Sequence, residues 1–291
     1  MNFSDGNTKS GFRKASSLYL DQKVTKTRVC DKHGEYTAVA HMWKPDRSDY
    51  LWSWCPKCDK LAEEKRRAAE RRQREYERKR KVEWIMEHSN IPPRFLDRKI
   101  DDFKATSGKQ QETKDFCRQY VDEFEQVVQT GRSAVFLGKP GTGKTHLAIA
   151  MLLEVVNRHC RSGIYMTVSR LIRHVRSAWK DGKTRLPASG LETGIPREKG
   201  NVSAEDAIIG FYSDYDLLVL DEVGVQYGTD SERIIIFELL NARYEKRKPT
   251  IMIGNCSLDE LKTYLGERVI DRLREDGGRL LVFDWKSHRG K

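Results

Sequence analysis

Eight consecutive residues of this sequence have the types and spacing of a phosphate-binding loop. The run Gly138-Lys-Pro-Gly-Thr-Gly-Lys-Thr145 matches G-x-x-x-x-G-K-T, follows the strand-like AVFLG and precedes the helix-like HLAIAMLLEVVNRH. Glycines let backbone N–H groups converge on phosphate oxygens, the Lys144 ammonium reaches the terminal phosphates, and the Thr145 hydroxyl is a Mg²⁺ ligand. The predicted nucleotide-binding residues are Gly138, Lys139, Pro140, Gly141, Thr142, Gly143, Lys144, Thr145 and His146.

Two further apolar runs end in polar residues that suit the same chemistry. In DLLVLDEVG, Asp221 is placed to hold Mg²⁺ through water and Glu222 to polarise the attacking water. An acidic helix cap after a core strand is the weaker interpretation, given the phosphate-binding loop. Asn255 ends TIMIGN, and we expect it to orient that water, although an isolated asparagine there is more often a turn residue.

Two arginines lie one helical turn apart in the segment GERVIDRLRE, at Arg268 and Arg272. An arginine presented to the nucleotide of a neighbouring copy would stabilise charge on the transferred phosphoryl group. A solvated face that pairs with Glu267 and Asp271 is the better interpretation from spacing alone.

Paired cysteines near the N-terminus predict a metal centre. Cys30-x-x-His33 and Cys55-Pro-x-Cys58 form two half-sites 21 residues apart, with His41 as a reserve ligand. This spacing suits one tetrahedral Cys₃His zinc, with each half-site in a tight turn. Because few apolar residues surround it, we expect zinc to supply folding energy, and four protein ligands leave no position open for catalysis. A chance pairing of free cysteines is the alternative.

The elements that must position these residues are readable from composition. We expect a zinc-binding module over residues 1–59, a basic helical linker over 60–89 and an ATPase domain over 90–291. The linker is free of Pro and Gly to about Glu87, favours helix and ends before Pro92-Pro93. Between Lys60 and Lys81 it has eleven basic and five acidic residues. That excess suits a nucleic acid or a protein surface, while the interspersed glutamates fit a solvated helix equally well.

Continuous apolar runs alternate with amphipathic segments in the last 200 or so residues, which predicts an α/β fold with a parallel sheet covered on both faces. Residues 181–203 read as a loop, and no internal repeat is evident. The predicted strands are residues 134–138, 164–168, 217–221, 250–255 and 280–285.

Bulk properties limit the class of protein. A chain of 291 residues has room for one ordinary domain and a smaller appendage, and the net charge of +11 favours a polyanionic partner. No apolar run approaches the length of a membrane span, and the polar N-terminus lacks the core of a signal peptide. We therefore expect a soluble, cytoplasmic protein without a membrane partner.

Several blocks together resemble one family. GKPGTGKTHLAIA, LLVLDEVGVQ, LGERVIDRLRE and VFDWKSHR are similar to the DnaC-type bacterial and phage helicase loaders, which are related to the DnaA initiators and the IstB-type transposition helpers. The resemblance covers about residues 91–291 and is specific in ERVIDR and FDWxSxR. It implies an AAA+ fold with a five-stranded parallel sheet and a reduced helical lid, and it implies ATP and Mg²⁺ as ligands. It also implies that Arg272, with Arg268 as a second candidate, acts in trans as an arginine finger, and that Arg289 acts in cis as a second sensor.

The resemblance further implies single-stranded DNA as a partner, bound by an ATP-dependent spiral of copies. The corresponding helix is SRLIRHVRSAWK, where Arg173, Arg176 and Lys180 would contact phosphates and Trp179 would stack on a base. Thr229 and Ser231 occupy the second DNA segment. The alternative is an ordinary amphipathic helix whose apolar residues, Trp179 included, face the core.

These patterns favour an ATP-hydrolysing loader of the replicative DNA helicase, although the zinc module departs from the helical N-terminal domain expected of loaders. An IstB-like transposition helper, which would prefer duplex DNA and a transposase, is the first alternative. The second is a zinc-dependent adaptor for which ATP is only an assembly switch.

Overall fold

The computed structural model describes residues 25–42, 50–181, 203–224 and 229–288. The chain forms two compact units, Met1–Tyr76 and Glu77–Lys291. This division falls within one long helix, α1 (Pro56–His88), and at neither end of the predicted linker. The predicted domain boundaries at 59/60 and 89/90 thus remain predictions. The part of α1 from Glu77 to His88 belongs to the second compact unit.

The first unit contains a small antiparallel sheet of β1 (Thr25–Cys30), β2 (Gly34–Met42) and β3 (Tyr50–Trp52), in that order. Residues 31–33 form the turn between β1 and β2. Ala38 and Cys55 are the buried residues among the side chains described between 25 and 55. So little burial cannot hold a sheet together by itself, because folding free energy scales with the apolar area removed from water.

Helix α1 starts at Pro56, four residues before the predicted start at Lys60. Proline has its φ preset for the first turn of a helix and needs no N–H partner there. Consequently Cys58 lies in the first turn of α1, and the prediction that this half-site is a separate tight turn was wrong. From Pro56 to Lys81 no side chain of α1 is buried, whereas Ile85 enters the core of the second unit.

The second unit is a sheet between helices. Short 3₁₀ turns lie at Pro93–Phe95, Ile100–Asp102 and Glu275–Gly277. The helices are α2 (Gly108–Asp122), α3 (Phe124–Thr130), α4 (Lys144–His159), α5 (Val168–Asp181), α6 (Ala204–Ser213), α7 (Asp230–Glu245), α8 (Leu258–Leu265) and α9 (Glu267–Arg274). The strands are β4 (Ala134–Gly138), β5 (Gly163–Thr167), β6 (Leu217–Val223), β7 (Thr250–Gly254) and β8 (Arg279–Phe283).

The five strands of this unit form one parallel sheet in the order β5-β6-β7-β4-β8. One face packs against α2, α3, α4 and the end of α1, and the other against α5 to α9. Because both faces are covered, the strands are apolar without alternation, which is why composition located them. The predicted α/β fold with a five-stranded parallel sheet between helices is confirmed.

Local sequence signals explain where helices begin. The Ser257 hydroxyl accepts a hydrogen bond from the Glu260 N–H at 3.2 Å, and the Glu260 carboxylate accepts one from the Ser257 N–H at 2.7 Å. This reciprocal cap starts α8 immediately after β7. In the part of the chain that the structure describes, no helix has the length and apolar character needed to cross a membrane.

Candidate functional site

The phosphate-binding loop joins β4 to α4 and requires glycine for steric reasons. Gly138 has a φ of 139° and Gly143 a φ of 99°, values that other residues rarely adopt. A Cβ on Gly138 would lie 2.2 Å from the Phe283 carbonyl oxygen, and one on Gly143 would lie 2.7 Å from Cε2 of Phe103. Close packing against Phe283 and Phe103 therefore leaves no room for a side chain at either glycine.

Lys144 begins α4, and its side chain is buried within the loop that it follows. Its Nζ donates hydrogen bonds to the carbonyl oxygens of Gly138, at 2.5 Å, and Lys139, at 2.8 Å. The ammonium thus lies beside the N-terminal end of a 16-residue helix, whose unpaired N–H groups favour anions. The charge of the Lys144 ammonium and the partial positive charge at the start of α4 therefore lie side by side, which favours the binding of a polyphosphate.

Asp221, at the end of β6, is buried and accepts three hydrogen bonds. Its Oδ2 accepts from the Thr145 hydroxyl at 2.8 Å and from the Tyr165 hydroxyl at 3.0 Å, and its Oδ1 accepts from the Glu222 N–H at 2.7 Å. A hydroxyl and a carboxylate side by side are oxygen donors of the kind Mg²⁺ prefers. Burial, and then the neighbouring Asp221, raise the pKa of Tyr165, so the phenol stays protonated and donates.

Glu222, the next-to-last residue of β6, and Asn255, the residue after β7, are exposed at the same edge of the sheet. Glu222 has a φ of 64°, a left-handed conformation that costs free energy for a residue other than glycine. Both residues line a cleft of about 770 Å³ together with Lys144, Thr145 and Asp221. The structure therefore brings these five predicted side chains together in one cleft.

His146 lines the cleft as well. Its Nε2 lies 3.1 Å from the Lys99 carbonyl oxygen, so that nitrogen must carry the proton and donate. Burial lowers the pKa of His146, which favours the neutral ring. His146 is thus placed at the nucleotide site as a neutral side chain, hydrogen-bonded to the segment that precedes α2.

That segment contributes residues which the sequence analysis missed. It follows Pro92-Pro93 in irregular 3₁₀ turns and contains no recognisable motif. The clustered basic and aromatic residues were the one feature of the sequence that could have indicated a binding site here. The cleft residues from this segment are Arg94, Phe95, Arg98, Asp102, Phe103 and Lys104.

The C-terminal block FDWKSH packs against the phosphate-binding loop. The Trp285 indole N–H donates to the Thr142 carbonyl oxygen at 2.9 Å, and the His288 N–H donates to the Gly141 carbonyl oxygen at 2.8 Å. This block therefore supports the loop directly. Arg289, the predicted second sensor, is the next residue along the chain and lies outside the described residues.

Arg272 lies on α9, near the amino ends of the parallel strands. We call this side of the sheet its amino edge, and the side with the nucleotide cleft its carboxyl edge. Its guanidinium donates to Oδ1 of Asn241 and lies 4.9 Å from the centre of the Tyr244 ring. It lines a cavity of about 250 Å³ with Ser133 and Thr250, which lie at the amino ends of β4 and β7. Because the phosphate-binding loop follows the carboxyl end of β4, Arg272 does not belong to the cleft of its own chain.

The neighbours of Arg272 on α9 differ from the predicted salt-bridge face. Arg268 is exposed, and Glu267 forms its ion pair with Lys262, at 3.2 Å. In the described part of the chain, neither arginine pairs with Glu267 or Asp271. Arg272 is held by an amide and an aromatic ring, which leaves its charge unneutralised by a carboxylate.

The two predicted DNA-contacting segments adjoin in space. Arg176 on α5 forms an ion pair with Glu232 on α7 at 3.0 Å, and the Thr229 N–H donates to the same carboxylate at 3.3 Å. Arg173 and Ser231 are exposed. The two segments therefore form one surface with polar groups, in which Glu232 already engages Arg176.

The apolar side of α5 faces the core, since Leu171, Ile172 and Val175 are buried. The amphipathic interpretation therefore accounts for that side, and the arginines occupy the other. The side chains of Trp179 and Lys180, the remaining predicted DNA contacts, lie outside the described residues.

The four predicted metal ligands come together in the first unit. The ligand atoms of Cys30, His33, Cys55 and Cys58 all lie within 4.8 Å of one another. His33 Nδ1 lies 3.3 to 3.7 Å from the three sulfurs, and the Cys30 and Cys58 sulfurs are 3.5 Å apart. A tetrahedral zinc requires about 3.6 Å for N···S and about 3.8 Å for S···S, from its bond lengths and angle. The donor set and its dimensions fit zinc, with no ligand position left for a substrate.

Known proteins are similar to this chain in sequence and in fold. The family of IstB-like ATP binding proteins matches residues 49–192. The replicative helicase loader DnaC of Escherichia coli K12 is 30% identical over 211 residues, which cover 72% of this chain and 77% of that protein. DnaC of Buchnera aphidicola from Acyrthosiphon pisum is 29% identical over 209 residues, covering 72% and 76%.

Solved structures show the same similarity. A crystal structure of the DnaC helicase loader matches with a TM-score of 0.53 at 25% identity, covering 66% of this chain and 99% of that one. A crystal structure of DnaI matches with a TM-score of 0.52, covering 66% and 94%, and at 17% identity it shares the fold alone.

Proposed function

This chain belongs to the DnaC family of replicative helicase loaders, and from that membership we propose that it is an ATPase that places a replicative DNA helicase onto single-stranded DNA. The observation that carries the proposal is the cleft in which Lys144, Asp221 and Glu222 converge. A chain that served only as a static adaptor would not need a carboxylate at the position of an attacking water.

The residues of the cleft divide the work of hydrolysis. Lys144 and the N–H groups at the start of α4 bind the phosphates, and Thr145 and Asp221 are the groups that would hold Mg²⁺. Bound there, the cation would neutralise charge on the phosphate oxygens. Glu222 accepts a proton from the attacking water, and Asn255 hydrogen-bonds that water and fixes its direction.

Assembly supplies what the cleft lacks. Arg272 lies at the amino edge of the sheet, so it acts on the nucleotide of a neighbouring copy, with Arg268 beside it. A guanidinium stabilises the charge that develops on the transferred group, which makes turnover depend on contact between copies. A homo-oligomer formed with ATP is therefore the active state in this proposal, and Arg289 completes the site in cis.

Single-stranded DNA binds the surface formed by α5 and the start of α7. Arg173, Arg176 and Lys180 contact phosphates, Trp179 stacks on a base, and Thr229 and Ser231 contribute hydrogen bonds. Arg176 exchanges its ion pair with Glu232 for the phosphate backbone on binding. Zinc bound by Cys30, His33, Cys55 and Cys58 holds the first unit as a structural module, and the protein works in the cytoplasm.

A loading assay tests this function directly. The host's replicative helicase is supplied with circular single-stranded DNA carrying an annealed, labelled strand and coated with single-strand binding protein. We expect strand release only when this chain and ATP are both present, and we expect Arg173→Ala to reduce it while Arg118→Ala, exposed on α2 at the other face of the sheet, does not.

Other outcomes would replace the proposal. Preference for duplex DNA and binding to a transposase, without helicase loading, would favour the IstB-like transposition helper. Full loading by Glu222→Gln protein supplied with ATP, over repeated cycles, would favour an adaptor for which ATP is only an assembly switch.

A further inference from the structure

Tyr165 is a buried tyrosine whose hydroxyl reaches the nucleotide site without lining it. The hydroxyl donates to Oδ2 of Asp221 at 3.0 Å, the same oxygen that accepts the Thr145 hydroxyl at 2.8 Å. Tyr165 is not among the residues that line the cleft. Any influence on a bound nucleotide must therefore pass through Asp221.

Strand register explains how the tyrosine reaches this far. Thr167 of β5 pairs with Asp221 of β6, and Tyr165 pairs with Val219, two residues earlier. Residues two apart project from the same face, so Tyr165 and Asp221 are diagonal neighbours on the face covered by α4. That separation suits a long aromatic side chain with a polar tip, and a phenylalanine would fill the same volume without reaching the carboxylate.

The backbone of Tyr165 is fixed independently of its side chain. Its N–H donates to the Ser89 carbonyl oxygen at 2.8 Å, beyond the outer edge of β5. The ring lies in the core cluster with α4. Because the backbone and the ring of Tyr165 are both held, its hydroxyl stays in one place. A rotation of the Asp221 carboxylate would therefore break this hydrogen bond.

We propose that Tyr165 is a positioning residue that fixes the Asp221 carboxylate for a divalent cation bound with ATP. This rests on the proposed ATPase function, because it assigns a role at that site. Asp221 is held by hydrogen bonds to both oxygens, and Tyr165 is the one donor of the three that lies outside the nucleotide loop and outside the β6 backbone. Without it, Thr145 is the remaining hydrogen-bond donor to Oδ2 among the described residues, and its hydroxyl would itself be a ligand for the cation.

The test is the dependence of ATP binding on Mg²⁺ in Tyr165→Phe, followed with a fluorescent ATP analogue in the full chain. We expect the Mg²⁺ concentration for half-maximal tight binding to rise about 3- to 10-fold, the range that loss of one hydrogen bond produces. Binding without Mg²⁺, in EDTA, should remain as in the wild type. Tyr120→Phe is the matched control, because the Tyr120 hydroxyl is also buried but donates to the Arg132 carbonyl oxygen.

A double variant separates positioning from a loss of packing. If Tyr165 acts through Asp221, then adding Tyr165→Phe to Asp221→Asn changes the Mg²⁺ dependence no further. An unchanged or lower Mg²⁺ requirement in Tyr165→Phe, or full additivity in the double variant, overturns the positioning role. A wild-type chain that binds no nucleotide would instead overturn the proposed ATPase, so the two failures are distinguishable.

Discussion

Under the proposed function, the two edges of the five-stranded sheet carry different halves of one chemistry. At the carboxyl edge, Lys144, Asp221 and Glu222 line a cleft suited to a nucleotide and an attacking water. At the amino edge, Arg272 is held by Asn241 and Tyr244. Parallel strands separate these edges by the length of the sheet, so one copy cannot join its own halves. Under the proposed function, Arg272 therefore serves the cleft of a second copy.

The edges also differ in how they are built. The carboxyl edge is a glycine loop that leaves room for a ligand, whereas the amino edge is organised around the buried Arg243. Its guanidinium donates to the Thr250 hydroxyl at 2.9 Å and to carbonyl oxygens that include those of Tyr215, at 2.9 Å, and Pro249, at 2.6 Å. Burial lowers the pKa of Arg243 to about 9, which still leaves it protonated at neutral pH. A rigid amino edge is suited to presenting Arg272 in one direction.

The largest effect is expected from the amino edge. Arg272→Ala should lower the maximal ATPase rate of the assembled protein on the order of 10³-fold, the magnitude typical of an arginine finger, while ATP binding persists. Arg274→Ala on the same helix is the control, because Arg274 is exposed. Equal ATPase activity in the two variants would show that Arg272 has no role in hydrolysis, and the amino edge would then have no part in the active site.

A comparable loss is expected at the carboxyl edge. Glu222→Gln should lower turnover by about 10²- to 10³-fold, since it removes the base but keeps the shape of the side chain. Nucleotide affinity should survive in Glu222→Gln and fall in Lys144→Ala, which removes a phosphate contact. Steady-state hydrolysis and equilibrium binding, measured together, make this distinction. Normal turnover in Glu222→Gln would remove Glu222 from the site.

The construction of the amino edge can be tested by stability. Arg243→Ala should lower the free energy of unfolding by about 3 to 5 kcal/mol, because it leaves buried carbonyl oxygens without their donor. Urea unfolding of Arg243→Ala and Arg247→Ala compares a buried with an exposed arginine of the same region. Similar stabilities for the two variants would show that the amino edge does not depend on Arg243.

The smallest effect on ATP hydrolysis is expected from metal removal. Purified protein should contain about one zinc per chain, and Cys55→Ser should unfold the first unit while ATP turnover without DNA or helicase stays near wild type. Cys160→Ser is the control, since Cys160 is not among the four clustered ligands. A protease-resistant first unit in metal-free protein would contradict the zinc assignment. A large loss of ATPase activity in Cys55→Ser would mean that ATP hydrolysis requires the first unit as well as the two edges of the sheet.

Much of this arrangement is readable from the sequence, for identifiable reasons. Strands buried on both faces leave uninterrupted apolar runs, and residues directly after such strands must meet at one edge, as Asp221 and Asn255 do. The cysteine and histidine spacing likewise brought four ligands together. In each case, local sequence order determines proximity.

What the sequence did not reveal depends on contacts between distant segments. The Tyr165 hydroxyl bonds Asp221 only through the register of β5 against β6, and Asn241 meets Arg272 only through the packing of α7 against α9. The start of α1 at Pro56 was missed because the Cys55–Cys58 half-site resembled a separate turn. Periodicity and motifs carry no information about such pairings.

Mixing two defective variants measures the shared site most directly. Arg272→Ala keeps an intact nucleotide cleft but lacks the proposed arginine finger. Glu222→Gln keeps Arg272 but lacks the proposed catalytic base. Each variant must first melt at the wild-type temperature, so that unfolding of α9 is not mistaken for lost chemistry. The account predicts that the mixture hydrolyses ATP faster than either variant alone, and that wild-type specific activity rises with protein concentration and with added single-stranded DNA. No gain on mixing, together with turnover independent of concentration, would contradict a site completed between copies.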